Sequence, residues 1–589
     1  MSEEKSPASD HEKFYQLMLN FESRLCHISR LSPNNNMACS VEERIHKVQN
    51  PNIIVALNNV NAETTRLLKL ESLLNEIQKK AYKVAVNCIE KETGPQMIMF
   101  LTGGSGTGKS LLLQAISKKI VISRGKTVGL FGSVLITAPT SACAFDIGGH
   151  SWRAALGVKS PRPRDLTAIE TGKLREKAAG LHLFVLDMMH CVSSSDLWLI
   201  SRRLCDATGV YTKPFGGLHT ILCGDFYQFR PISGISIAMD AVPNTVARVG
   251  ELEGRDLFRD SLTHYVILSE NTRVIGSMGP LSTLVRFATQ ARLGLICPAV
   301  LSEINQRVAN TLEQAMAIAH PQAVWISDTN RRAKLINNEF LLKLVSEGGT
   351  ITRLIADHKP ARGDLSRPDL ATRVRLYEVE GEPRCLPVCL ELCEGSRVAL
   401  TVDLFPTIGL FYGAMGTVVG YVYRNKLKPG DSRAQPTGPL ALLEDEEREL
   451  PIVMVQFDKL NRNFQISCTG EMPRLVPILP VADRIMISVG GRRYKRYQIP
   501  LRPAHSCPCY TTAGISPSEG IVIAGPKALP GFAAEYVRVS RATSMDKLLL
   551  LQPLRTAHFT GYPDFRVAIH NEYARLDNQF SQETFVLHN

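Results

Sequence analysis

The stretch Leu101-Thr-Gly-Gly-Ser-Gly-Thr-Gly-Lys-Ser-Leu-Leu-Leu113 restricts what this chain can fold into more than any other. An apolar run, Met97-Ile-Met-Phe-Leu101, leads into it and reads as a buried strand, and an apolar helical start follows Ser110. Strand, G-x-x-x-x-G-K-S loop and helix form one unit that cradles phosphates. Gly103 and Gly108 open backbone conformations closed to other residues. The loop Gly103, Gly104, Ser105, Gly106, Thr107, Gly108 then points its amides at a phosphate, at the positive end of the helix dipole. In this arrangement Lys109 reaches the β- and γ-phosphates and the Ser110 hydroxyl holds Mg²⁺.

Strands and helices alternate after this unit. Val134-Leu-Ile-Thr-Ala138, Leu183-Phe-Val-Leu-Asp187 and Thr220-Ile-Leu-Cys-Gly-Asp225 read as strands, the last two ending in an acid. Such alternation implies a parallel sheet with helices on both faces, whose functional side chains gather at the carboxyl ends of the strands. Lys109, Asp187 and Asp225 all fall there, so one shared site is expected. Upstream, Thr64–Glu92 is strongly helical and carries Gln78, whose amide has the donor and acceptor that read an adenine edge. A second α/β region begins near Tyr265 and includes a helix over 330–344. From 395 to 460, short β-like runs separated by glycine turns suggest a small β-barrel insertion. Residues 427–450, rich in Pro, Gly and acids, read as a mobile loop, and the α/β pattern resumes near 500.

The expected domains are a variable appendage (1–65, broken by Ser32-Pro-Asn-Asn-Asn36), a first α/β domain (66–260) and a second (261–394 and 500–555). The β insertion occupies 395–499, and the tail 556–589 carries no signal. Several domains suit a chain of 589 residues. The net charge of +12 points to a polyanionic partner. The fourteen cysteines form no paired zinc-ligand spacing; Cys385, Cys389, Cys393, Cys507 and Cys509 read as reduced packing residues of an intracellular protein. Met1–Asp10 lacks a hydrophobic signal core, and no apolar run approaches the ~20 residues of a membrane span, so a soluble, non-secreted chain is expected.

The block Gly216–Ile232, with Gly224-Asp-Phe-Tyr-Gln228 at its centre, and the block Gly531–Ser544, with Tyr536-Val-Arg-Val-Ser-Arg541, resemble the petite-integration-frequency type of DNA helicase, in the RecD-like branch of superfamily 1. The resemblance runs from about Leu74 to Leu554. It implies two RecA-like P-loop motor domains with parallel sheets, an SH3-like β insertion, and ATP-driven 5′ to 3′ movement on single-stranded DNA, unwinding in repair, recombination or telomere maintenance. Nuclear localisation follows from that function alone. By the same resemblance Gln78 reads adenine, Asp187 with Ser110 supports Mg²⁺, and Gln228 senses the γ-phosphate. Arg273 and Arg541 are the arginine fingers that neutralise the transferring phosphoryl group. Ala138-Pro-Thr-Ser-Ala-Cys-Ala144, with Gly148-Gly-His150, resembles the strand-gripping motif, which holds phosphates without reading sequence. Gly491-Arg-Arg-Tyr-Lys-Arg-Tyr497 alternates cations and aromatics, which suits single-stranded DNA and equally a solvated hairpin edge.

Two blocks depart from the family pattern. Met188 stands where the family has the glutamate that activates the hydrolytic water, a loss of about 10²–10⁴-fold in general-base catalysis. His190 follows close by, in a packing role or as a substitute. Thr511 and Ala513 replace a lysine and a glutamine, leaving Gly514, in a block that touches DNA and relays the nucleotide state. Such lesions fit a decayed copy, as in the helicase part of rolling-circle (Helitron-type) transposable elements, which the chain also resembles. The expected function is an ATP-dependent DNA helicase with impaired hydrolysis; the alternative is a non-enzymatic, ATP-gated DNA-binding protein.

Overall fold

The computed structural model describes residues 54–580 except 92, 126–128, 130, 159–163, 240–249, 273–281, 362–371, 373–374, 377–384, 424–449, 461–474, 513–516, 518 and 526–532. The appendage as far as 53, nearly all of the acidic loop, Arg273, Ala513, Gly514 and the end of the tail lie outside the described residues. The chain divides into two units: Asn50–Thr329 with Cys507–Asn589, and Asn330–Ser506.

The first unit is built on a parallel six-stranded sheet. Its strands are β1 (Ile98–Gly103), β2 (Val134–Ala138), β3 (His150–Ser151), β4 (Leu183–Leu186), β5 (His219–Gly224) and β6 (His264–Leu268), in spatial order β3-β2-β4-β5-β1-β6. The central strands are apolar on both faces because helices cover both. Along β1, Ile98 and Phe100 join one core with Leu197, Ile200, Leu204 and Phe258, while Met99 and Leu101 join the other with Ala81, Leu112 and Ile116. β4 and β5 divide in the same way: Phe184, Leu186 and Leu222 face one core, and Leu183, Val185 and Ile221 the other.

The strand at 264–268, read from sequence as the start of the second α/β region, is the sixth strand of the first sheet and pairs parallel with β1, Leu101 beside Val266. An apolar run shows that a strand exists but not which sheet it joins. A second sheet in this unit is made of β7 (Val324–Ser327), β18 (Ser506–Pro508), β19 (Ile521–Ala524) and β20 (Leu548–Leu550), in spatial order β18-β7-β19-β20. β19 pairs parallel with both β7 and β20. The tail, unreadable in sequence, holds a helix, Pro563–Phe580, that buries Phe565, Ile569, Leu576 and Phe580.

The second unit is β-rich after a first helix, Asn330–Ser346. Its strands are β8 (Thr352–Ile355), β9 (Asp357–Pro360), β10 (Cys389–Leu392), β11 (Arg397–Leu400), β12 (Met415–Val422), β13 (Ile452–Phe457), β14 (Leu475–Ile478), β15 (Val481–Val489), β16 (Arg492–Gln498) and β17 (Leu501–Pro503). They form a five-stranded antiparallel sheet β14-β13-β12-β11-β17, a pair β10-β8 and a three-stranded sheet β15-β16-β9. Val398, Leu400, Val418, Val453, Val455 and Ile499 are among its core residues. The strands thus begin well before the expected 395: Thr352-Arg-Leu-Ile355 and Asp357-His-Lys-Pro360 are too short and charged to read as strands without their partners. Among the described residues no helix is long and apolar enough to cross a membrane.

Candidate nucleotide site

The phosphate-loop motif folds as its glycines require. Gly103 has φ 152°, and a Cβ there would lie 2.4 Å from the Leu268 carbonyl oxygen. Gly108 has φ 79°, and a Cβ would lie 2.3 Å from Gln78 Nε2. The helix Lys109–Arg124 starts directly after it and seats Leu112, Leu113, Ile116 and Ile120 in the core. This fixes the loop at the helix N-terminus and the carboxyl end of β1, where backbone amides favour anions.

Inside the loop, Lys109 Nζ donates to the carbonyls of Gly103 (2.6 Å) and Gly104 (2.8 Å). Thr107 Oγ1 donates to Gly104 O at 3.0 Å. The Ser105 amide donates to the Tyr536 hydroxyl at 2.7 Å. Gln78 is fully buried: its Nε2 donates to Thr107 O at 3.0 Å and its Oε1 accepts from the Asn75 amide at 2.9 Å, in a capping box that starts the helix Glu76–Glu90. The glutamine is thereby set against the loop, with one N–H and one lone pair beyond these bonds. Asn271 Nδ2 donates to Ser105 O at 3.0 Å and the Thr272 amide to Gly106 O at 2.8 Å, so the segment leading to Arg273 is tied to the loop.

The acids stand where the strands end. Asp187 follows β4; its Oδ2 accepts from Ser110 Oγ at 3.4 Å and its Oδ1 from the Met188 amide at 2.8 Å. Burial pushes its carboxyl above the usual range, against that amide bond and the Lys109 charge. Asp225 follows β5 and has no exposure. Burial pushes its carboxyl up too, but the charge and hydrogen bonds of Arg292 and then the Lys109 charge outweigh burial and hold it below the usual range. Gln228 Nε2 donates to Asp225 Oδ2 at 3.4 Å. Burial lowers the Lys109 ammonium despite both carboxylates. The structure therefore brings together Gln78, the loop, Lys109, Ser110, Asp187 and Gln228. Arg541 is buried nearby, with the Tyr536 ring and the thiols of Cys143, Cys191 and Cys509 in its electrostatic neighbourhood, and burial lowers its guanidinium.

Three residues of this centre escaped the sequence reading. Arg292, on the helix Thr283–Leu293, donates from Nε to both Asp225 oxygens at 3.1 Å and from Nη2 at 2.9 Å. Its guanidinium carbon lies 4.7 Å from the centroid of the Tyr227 ring. Tyr573, on the tail helix, accepts from the Phe226 amide at 3.1 Å and shares a hydrogen bond with Thr102 Oγ1 at 2.9 Å. Tyr536 ties Ser105 to this network, its hydroxyl 3.5 Å from Asp225 Oδ2. No local pattern marks Arg292 or Tyr573; Tyr536 stood inside a motif, unassigned.

Met188 has φ 53°, a left-handed backbone rare outside glycine. Its side chain packs with Ala138, Cys143 and Ala144, against Cys191. It thus joins the residues of the expected strand-gripping segment, where Thr140 caps the short helix Ser141–Asp146. His190 accepts the Asp225 amide at Nδ1 (3.1 Å), and burial lowers it to about 3. The neutral ring then carries its proton on Nε2, which has no partner among the described residues, so that nitrogen is a donor and not a base. Cys507 and Cys509 are buried, their thiols set toward the carbonyls of Trp325 and Ala534, a packing role.

Residues 73–246 match the family model described as PIF1-like helicase. The chain is 32% identical over 461 residues to the ATP-dependent DNA helicase PIF1 of Homo sapiens, covering 77% of this chain and 58% of that protein. It is 25% identical over 505 residues to the ATP-dependent DNA helicase PIF7 of Trypanosoma brucei brucei, covering 81% of this chain and 46% of that one. The chain therefore spans about half the length of these curated relatives. In fold it is similar to the Pif1 helicase from Candida albicans (TM-score 0.57, 19% identity, 85% of this chain and 99% of that one). It is likewise similar to Pif1 from Bacteroides solved with ADP-AlF3 and ssDNA (TM-score 0.55, 16% identity, 87% and 99%).

Proposed function

Because the chain carries a PIF1-like helicase domain over residues 73–246, we propose that it is an ATP-driven motor on single-stranded DNA, moving 5′ to 3′ and unwinding DNA in repair, recombination or telomere maintenance, and acting in the nucleus. One observation carries the reading: Lys109, Asp187 and Asp225 with Gln228 meet at the carboxyl ends of the adjacent strands β1, β4 and β5. Phosphoryl transfer needs little more than positioning and charge neutralisation around the outer phosphates. The loop amides and Lys109 supply both once Lys109 leaves the Gly103 and Gly104 carbonyls. Gln228 orients toward the γ-phosphate from its bond to Asp225, and Gln78 lies beside the loop for the base. Arg273 and Arg541 supply the closing positive charge. The hard oxygens of Ser110 and Asp187, 3.4 Å apart, suit Mg²⁺, which keeps waters and phosphate oxygens as its remaining ligands and neutralises phosphate charge.

Hydrolysis in this reading is slow. Met188 offers no proton acceptor and packs into an apolar, thiol-lined pocket, and His190 holds its proton on the nitrogen left to give it. The test is DNA-stimulated ATP hydrolysis by the purified chain beside Lys109→Ala and Met188→Glu. We expect weak turnover abolished by Lys109→Ala and raised by Met188→Glu, increasing with pH because a glutamate in that pocket ionises late. ATP binding with no turnover in any variant favours the ATP-gated, non-enzymatic reading instead. No ATP binding at all overturns both.

A further inference from the structure

The sheet β15-β16-β9 has one core face and one open face. Along β16, Tyr494, Arg496 and Gln498 are buried, while Arg493, Lys495 and Tyr497 point the other way. Arg496 is fully enclosed: its Nε donates to His358 Nε2 at 3.0 Å and its Nη atoms to the carbonyls of Leu386 and Leu376. Tyr494 packs with Leu376 and Ile487. Half of the cation–aromatic alternation is therefore core, and only the other half is available to a partner.

That other half is unusual for a solvated surface. The register sets Lys495 of β16 directly opposite Lys359 of β9 and, on its other side, opposite Met486 of β15, which is 45% exposed. Arg493 follows on the same face, beside Ser488. Lys359 Nζ lies 5.1 Å from the centroid of the Tyr497 ring and 3.6 Å from Asp357. Lys495 and Arg493 make no ion pair among the described residues. Like charges directly opposite across strands oppose folding. A polyanion lying along the sheet turns that repulsion into attraction.

We propose that this open face of β15-β16-β9 binds single-stranded nucleic acid: Lys359, Arg493 and Lys495 take phosphates, and Tyr497 with Met486 gives bases a sequence-tolerant platform. The inference rests on the DNA-dependent function proposed above and adds a contact surface within the Asn330–Ser506 unit. A cationic sheet carrying an aromatic ring is the chemistry by which single strands are held without base readout.

The test is fluorescence anisotropy of a labelled oligothymidylate, and of a duplex of equal length, titrated with the full chain at several salt concentrations. Lys359→Gln/Lys495→Gln is expected to lower the slope of log K against log salt by about 1.4, two phosphates at about 0.7 each for a single strand. Tyr497→Ala is expected to weaken single-strand binding about 5-fold or more. Arg353→Gln, at an exposed cation paired with Glu391 in the same unit, is the control for bulk charge and leaves the slope unchanged. Thermal melting and ATP hydrolysis without DNA are read for each variant: hydrolysis is expected to hold, and melting not to fall, with a small rise in Lys359→Gln/Lys495→Gln as the opposed charges are removed. An unchanged slope in the double variant overturns the proposal, as does an equal loss in Arg353→Gln or a loss confined to duplex. A wild-type chain that binds no DNA overturns the functional reading, and this surface with it.

Discussion

Arg292→Met tests how the carboxyl end of β5 is held. Asp225 is wholly buried, and Arg292 meets its two oxygens with contacts of 2.9 to 3.1 Å. Methionine keeps much of the stem and its packing while removing the charge. The carboxylate then keeps the Lys109 charge and the weaker donors Tyr227 N at 3.2 Å, Gln228 Nε2 and the Tyr573 hydroxyl at 3.4 Å, and the Tyr536 hydroxyl at 3.5 Å. Breaking a buried pair on one side costs about 3–5 kcal/mol. The remaining donors place this case near the lower end, at about 3 kcal/mol. Asp225→Asn in the same background removes the stranded charge and is expected to recover all but about 1 kcal/mol. Global unfolding of a chain with two units need not be two-state. The assay is therefore native-state hydrogen exchange of the β1 and β5 amides, which reports the local opening free energy. A loss below about 1 kcal/mol in Arg292→Met, or a double variant as weak as the single, would refute the reasoning.

Tyr573→Phe removes the acceptor of the buried Phe226 amide and is expected to cost about 1–3 kcal/mol, read as a lower melting temperature; an unchanged melt removes the tail helix from the centre. Burial, and then the Arg496 charge, lowers His358 to about 4, and burial first lowers His505 to about 3. Unfolded histidines take up protons near pH 6.5 while these stay neutral, so stability is complete above about 6.5 and falls as the pH drops toward 4. The slope is about 1.4 kcal/mol per pH unit for each histidine. His358→Gln keeps an acceptor for Arg496 and should remove about 2 kcal/mol of the loss between about pH 6.5 and 5, seen as a shallower pH dependence of the melting temperature.

The phosphate loop and the strands carrying Asp187 and Asp225 were legible because each is a local pattern: glycines at fixed offsets, or an apolar run ended by an acid. The strand 264–268 was legible as a strand and not as a member of the first sheet, since pairing with β1 is decided by packing across 165 positions, the separation of Ile98 and Thr263. Arg292 and Tyr573 sit on ordinary amphipathic helices, and only tertiary contact brings them to Asp225. In Arg492–Gln498 the alternation was visible, but which parity faces inward depends on Leu376 and His358, supplied from elsewhere in the chain.

The Ser105 amide has a single proton to give, and it gives it to a tyrosine borne on Ala534–Val539, the segment between β19 and β20. On the function proposed above, an entering phosphate oxygen would compete for that same proton with a charge-assisted bond roughly twice as strong as the neutral one it displaces. Tyr536 is in that function a place-holder in the loop: filling the loop would break its bond to the Ser105 amide and release the helix Ala534–Val539, just ahead of Arg541, from that one tie.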